Sequence, residues 1–111
     1  MKCLPCEGGT PPLQKEKIDQ YMLDVKGWQL NEQGHIVKSY SFKDFRQAMD
    51  FVTHIAIIAE TEGHHPDFSV HYNKIDVELW THAINGLSEN DFILAAKIDE
   101  AKDGKQDNKR K

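Results

Sequence analysis

The chain has 111 residues, of which 39% are hydrophobic and 29% charged, and a formal net charge of −4. That length supports one hydrophobic core rather than two, and a mildly negative balance argues against a binder of nucleic-acid phosphates, which carries clustered Lys and Arg. It contains no apolar run of the roughly eighteen residues a membrane span needs, and Met1-Lys2-Cys3-Leu4-Pro5-Cys6-Glu7 lacks the apolar stretch of a secretory signal, so a cytoplasmic, reducing setting without membrane contact is expected.

Cys3-x-x-Cys6 holds the only two cysteines and is followed by Gly8-Gly9 and Pro11-Pro12, so residues 1–13 are expected to form a flexible arm. A thioredoxin-type pair needs a strand before it and a helix after it, and zinc needs two further ligands. Ordinary reduced thiols are therefore expected, with intersubunit zinc or redox sensing as alternatives. A single domain is expected over residues 14–102, and the polar residues 103–111 read as a frayed tail.

From Gln14 to Val25, the residues Ile18, Tyr21, Met22 and Val25 recur at helical spacing, and Lys26-Gly27 ends the predicted helix. Trp28 and Leu30, the turn Asn31-Glu32-Gln33-Gly34 and the β-formers from His35 to Phe42 predict a hairpin. Ser41 stands three residues before Asp44 in an acidic variant of the capping box. The long helix that follows is marked by Phe45, Ala48, Met49, Val52, Ile55, Ala56 and Ala59. Phe51, Ile57 and Ile58 fall off that stripe, which predicts a second partner for the helix, taken to be another subunit.

Phe68, Val70 and Tyr72, then Ile75, Val77 and Leu79, joined at Asn73-Lys74, predict a second hairpin. Ser88-Glu89-Asn90-Asp91 is another acidic capping box, with Leu87 and Phe92 placed as a hydrophobic staple, and it opens a last helix through Ala95, Ala96 and Ile98. The order α-β-β-α-β-β-α suits an α+β fold: a four-stranded antiparallel sheet with its helices packed on one face. Strand order is left open by the pattern.

His64-His65, held between Gly63 and Pro66, and His82 after Thr81 are the residues that point to chemistry. Histidine, with an ordinary pKa of about 6.5, both takes and gives a proton near neutrality. Pro66 biases His65 towards extended backbone, and Gly63 suits the left-handed end of the long helix. The negative end of that helix favours a cation there, and Glu60, one turn before His64, is placed to orient a ring by accepting its N–H. Asp91 is explained by helix capping alone. Adjacent residues of extended chain point to opposite sides, so His64 and His65 are poorly placed to share a zinc ion. Trp28 and Tyr72 are assigned to core packing, and His35, His54 and His71 to surface or packing.

The set Glu60-x-x-x-His64-His65-Pro66, Tyr72, Leu79-x-Thr81-His82 and Gly86-Leu87-Ser88-x-x-Asp91 resembles the signature of pterin-4a-carbinolamine dehydratase. Gly27-Trp28, Phe42-x-x-Phe45-x-x-Ala48 and Ala59-Glu60 extend the likeness from about Gln14 to Asp99, with Trp80 the one bulky oddity beside Thr81. The resemblance implies an enzyme that removes water from 4a-hydroxytetrahydropterin, the spent cofactor of aromatic amino-acid hydroxylases, to give quinonoid dihydropterin. It implies His64 and His82 as the acid/base pair, His65 as the residue that holds the pterin, Glu60 and Asp91 in support, and neither metal nor further cofactor. It also implies a homodimer or homotetramer, with a hydroxylase as a candidate partner. The alternative it leaves is a non-enzymatic binding protein of the same fold, acting as a dimerisation cofactor or transcriptional coactivator.

Overall fold

The computed structural model describes residues 11–102, so the Cys3-x-x-Cys6 pair and the tail from residue 103 lie outside the described residues. The chain runs α1 (Lys15–Met22), β1 (Gln29–Leu30), β2 (Ile36–Ser41), α2 (Phe45–Glu62), β3 (Asp67–His71), β4 (Lys74–Leu79), a 3-10 turn (His82–Ile84) and α3 (Glu89–Lys102). This is the α+β order the sequence predicts. All strand pairs are antiparallel, and the sheet order is β1-β2-β4-β3, which places β4 inside the sheet and β3 at an edge.

Alternation along β4 decides which face of the sheet is covered. Ile75, Val77 and Leu79 are buried, and register sets Tyr40 and Ile36 of β2 opposite Ile75 and Leu79. The same core takes Phe51, Ile55 and Ile58 from α2 and Phe92, Leu94, Ala95 and Ile98 from α3. Each such fully buried aliphatic side chain stabilises the fold by roughly 1.5–3 kcal/mol relative to exposure. Val37, Ser39 and Ser41, opposite Glu78, Asp76 and Lys74, lie on the open face.

Four details differ from the sequence reading. α1 stops at Met22 because the chain tightens into i→i+3 bonds, Leu23 N–H to Gln20 O (3.2 Å) and Asp24 N–H to Tyr21 O (2.9 Å). The cap of α2 is Asp44, not Ser41: Gln47 N–H donates to Asp44 Oδ1 (2.9 Å), while Ser41 stays in the ladder opposite Lys74. Phe51 and Ile58 are covered within the chain, since Phe51 packs 4.8 Å from Tyr40 and 5.0 Å from Phe42 and α2 has α3 as its second partner, leaving only Ile57 of the three exposed, at 59%. Tyr72 is not core but the left-handed corner of the β3–β4 turn, with φ 56° and 67% exposure.

Two further contacts tie the periphery down. Leu13 N–H donates to Leu87 O (2.9 Å), so the ordered body reaches into the expected arm. Tyr21 OH donates to Glu89 Oε2 (2.9 Å), anchoring α1 to α3, and this hydrogen bond to a carboxylate holds the phenol above its ordinary pKa.

Candidate active site

α2 ends on a hook. Gly63 adopts φ 67° and ψ 27°, its N–H and that of His64 both turn back to Ala59 O, and the left-handed geometry suits glycine because it lacks Cβ. The hook takes His64 off the helical face and towards the start of α3. There His64 Nε2 meets Asp91 Oδ1 at 2.7 Å, with the His64 side chain 12% exposed and Asp91 wholly buried.

Asp91 is held from three sides. Its Oδ2 accepts from Ser88 N–H (2.9 Å), the side-chain-to-backbone arm of the predicted capping box, and from Thr81 Oγ1 (2.9 Å). Since the single Thr81 hydroxyl proton goes to the carboxylate, Ser88 Oγ–H donates to Thr81 Oγ1 across 2.8 Å. Such a set of donors satisfies the oxygens of a buried carboxyl group, which would otherwise cost free energy to bury. With Nε2–H given to Asp91, neutral His64 keeps its lone pair on Nδ1.

His65 turns elsewhere. Its Nε2 lies 2.6 Å from Glu60 Oε2 in an exposed pair, so Glu60 orients His65, and not the His64 ring that the helical spacing favours. His64 and His65 thus meet different carboxylates, in keeping with the divergence expected ahead of Pro66.

His82 opens the 3-10 turn after β4, 59% exposed, with its Nε2 3.6 Å from Asp67 Oδ2 and its ring stacked on Trp80. The loop carrying it is closed by Thr81 N–H to Gly86 O (2.8 Å), where Pro12 also packs against the glycine. Thr81 therefore joins the two histidine sites, because it precedes His82 in the chain and binds the carboxylate that holds His64. Sequence spacing pointed to Thr81 only as part of a motif, and it missed Asp67. The one available signal for Asp67 is its position directly after His-His-Pro.

A groove of about 680 Å³ on the open face, lined by Val37, Ser39, Ser69 and Asp76 among others, reaches this cluster at Asp67. Among the described residues, no group of three His, Cys, Asp or Glu side chains is placed to hold a metal ion, and no helix is long and apolar enough to cross a membrane. Chemically, the arrangement offers an imidazole backed by a buried carboxylate and two exposed imidazoles, each with a carboxylate nearby.

The family model for pterin 4 alpha carbinolamine dehydratase matches residues 11–101. Proteins provisionally named pterin-4-alpha-carbinolamine dehydratase from Rickettsia canadensis and Nitrosospira multiformis are each 54% identical over 99 residues, covering 88% of this chain and 91% and 86% of theirs. A crystal structure described as transcriptional coactivator/pterin dehydratase from Brucella melitensis superposes with a TM-score of 0.77 at 35% identity, covering 79% of this chain and 95% of that one. With the fold, the spaced motif and these matches in agreement, the chain belongs to the pterin-4-alpha-carbinolamine dehydratase family.

Proposed function

We propose that the protein dehydrates 4a-hydroxytetrahydropterin to quinonoid dihydropterin by histidine acid/base catalysis. The reaction breaks the C4a–O bond, the hydroxyl leaving as water with a donated proton, while N5–H gives up its proton and its electron pair forms the N5=C4a bond. The observation that carries the reading is the His64–Asp91 pair: a wholly buried carboxyl group 2.7 Å behind an imidazole fixes its tautomer and stabilises the imidazolium formed when it takes a proton. We assign the N5 proton to His64 on that ground, protonation of the leaving hydroxyl to His82, and pterin holding to His65.

Proton transfer suffices for this elimination, so the reading needs neither metal nor further cofactor. The substrate's source is an aromatic amino-acid hydroxylase in the cytoplasm, and a homo-oligomer is the proposed assembly. Following the dehydration of synthetic 4a-hydroxytetrahydropterin, with and without a chelator, tests the reading. Catalysed dehydration insensitive to chelation supports it; a rate equal to the uncatalysed one overturns it, and loss on chelation restored by metal overturns its metal-free part. The Brucella relative's name also includes coactivator. That role would rest on the protein's outer surface, and a chain that binds a protein partner but leaves the pterin untouched would favour it.

A further inference from the structure

The Trp80 indole lies between two imidazoles, His35 at 4.2 Å and 10° on one side and His82 at 3.9 Å and 25° on the other. The outer end of this stack is anchored in the β1–β2 turn. His35 Nδ1 bonds Glu78 Oε2 (2.5 Å), the same oxygen accepts from Asn31 Nδ2 (3.1 Å), and the His35 N–H donates to Asn31 Oδ1 (2.9 Å). At the inner end, Trp80 Nε1–H donates to Asp67 Oδ2 (3.1 Å), and that oxygen lies 3.6 Å from His82 Nε2. The ring of His82 is thus placed by an aromatic face and by the carboxylate that the same indole holds.

We propose that Trp80, acting with Asp67, is a positioning residue for His82, an inference that rests on the acid/base role assigned to His82 above. An exposed imidazole on a short turn samples several rotamers, whereas proton transfer requires its nitrogen within hydrogen-bond reach of the reacting group. A displacement of about an ångström costs on the order of a hundredfold in rate. Offset stacking restricts tilt of the ring, and the Asp67 carboxylate selects which edge faces it. His35 serves as the backstop that keeps the indole from turning away.

Two substitutions separate the parts. Trp80→Phe keeps a flat ring without the N–H, and Trp80→Leu removes both. Steady-state kinetics on synthetic 4a-hydroxytetrahydropterin should show kcat lowered on the order of tenfold in Trp80→Leu with KM nearly unchanged, and mostly retained in Trp80→Phe. The His82 ring protons should lose their upfield ring-current displacement in the NMR spectrum of Trp80→Leu and keep most of it in Trp80→Phe. On a His82→Ala background, Trp80→Leu should bring no further loss. Equal losses on both backgrounds overturn the proposal, as do unmoved His82 signals. Should Trp80→Leu fail to fold, Asp67→Ala carries the same kinetic expectations. Full activity in His82→Ala overturns the acid/base reading and this role with it; a loss in His82→Ala without one in Trp80→Leu or Asp67→Ala overturns this role alone.

Discussion

His64 Nε2 lies 2.7 Å from Asp91 Oδ1, and the other oxygen of that carboxylate caps α3 through Ser88 N–H. One buried group therefore starts a helix and orients the proposed base. The three neighbours of Asp91, namely His64 Nε2–H, Ser88 N–H and Thr81 Oγ–H, are all donors.

Asp91→Asn sets an amide N–H₂ against one of those donors. It is expected to lower kcat on the order of a hundredfold or more, since the imidazole loses its fixed tautomer. A stability loss of about 1–3 kcal/mol should accompany it, from the unsatisfied buried donor. Kinetics paired with thermal melts check both, and a kcat for Asp91→Asn within twofold of the parent would remove Asp91 from the site. Thr81→Ser, which keeps the hydroxyl, should leave kcat close to the parent value.

The three histidines should separate kinetically. His64→Ala and His82→Ala are expected to depress kcat by about a hundred to ten thousandfold, whereas His65→Ala, losing a binding contact, should act through KM. Because His64 and His82 serve one elimination, their double variant should fall short of the product of the single losses. Near-parental kcat in both single variants leaves the pair without support.

Local patterns carried much of this in advance. Gly63 as the end of α2, the Asp91 side chain on Ser88 N–H and the buried alternation of Ile75, Val77 and Leu79 all follow from spacing of a few residues, and all are present. Glu60 shows where such spacing fails. It shares a helical face with position 64 only if the helix continues, but the Gly63 hook ends it, so His64 pairs with Asp91, 27 residues onward, and Glu60 takes His65. The excess apolar surface of α2 fails for a related reason: Phe51 and Ile58 are covered by the sheet and α3, a tertiary arrangement that helical periodicity does not encode. Ser41 competed with Asp44 as a cap and lost because strand pairing holds it.

That correction changes the test of assembly. Ile57 on α2 and Phe68 and Val70 on the edge strand β3 are among the large apolar side chains that remain exposed, and a subunit contact over α2 or the sheet edge would cover them. Ile57→Glu is expected to weaken a homo-oligomer while leaving the protomer folded, whereas Phe51→Glu should unfold the protomer by burying a charge. Sedimentation and circular dichroism distinguish the two. A parent protein that sediments as a monomer at micromolar concentration ends the proposal of an oligomer.

Away from the histidines, Asp99 on α3 gathers three donors from other elements: Lys38 Nζ (2.8 Å), Tyr40 OH (2.5 Å) and Trp28 Nε1 (3.1 Å). Lys38 is also held by Lys26 O (3.0 Å), so the cluster clamps β2 and the turn before β1 onto the helix. Removing the carboxylate takes an acceptor from the Trp28 and Tyr40 ring donors and from an ammonium only partly reached by water. Asp99→Ala should cost about 2–3 kcal/mol, after allowing for solvent screening of the half-buried Lys38–Asp99 pair. For a domain of this size that corresponds to a Tm lowered by roughly 10–20 °C. At a temperature where the variant remains folded, kcat should match the parent, because none of these side chains touches His64, His65 or His82. A stable Asp99→Ala protein would show that the clamp contributes little, and a folded variant with lowered kcat would show that it reaches the site.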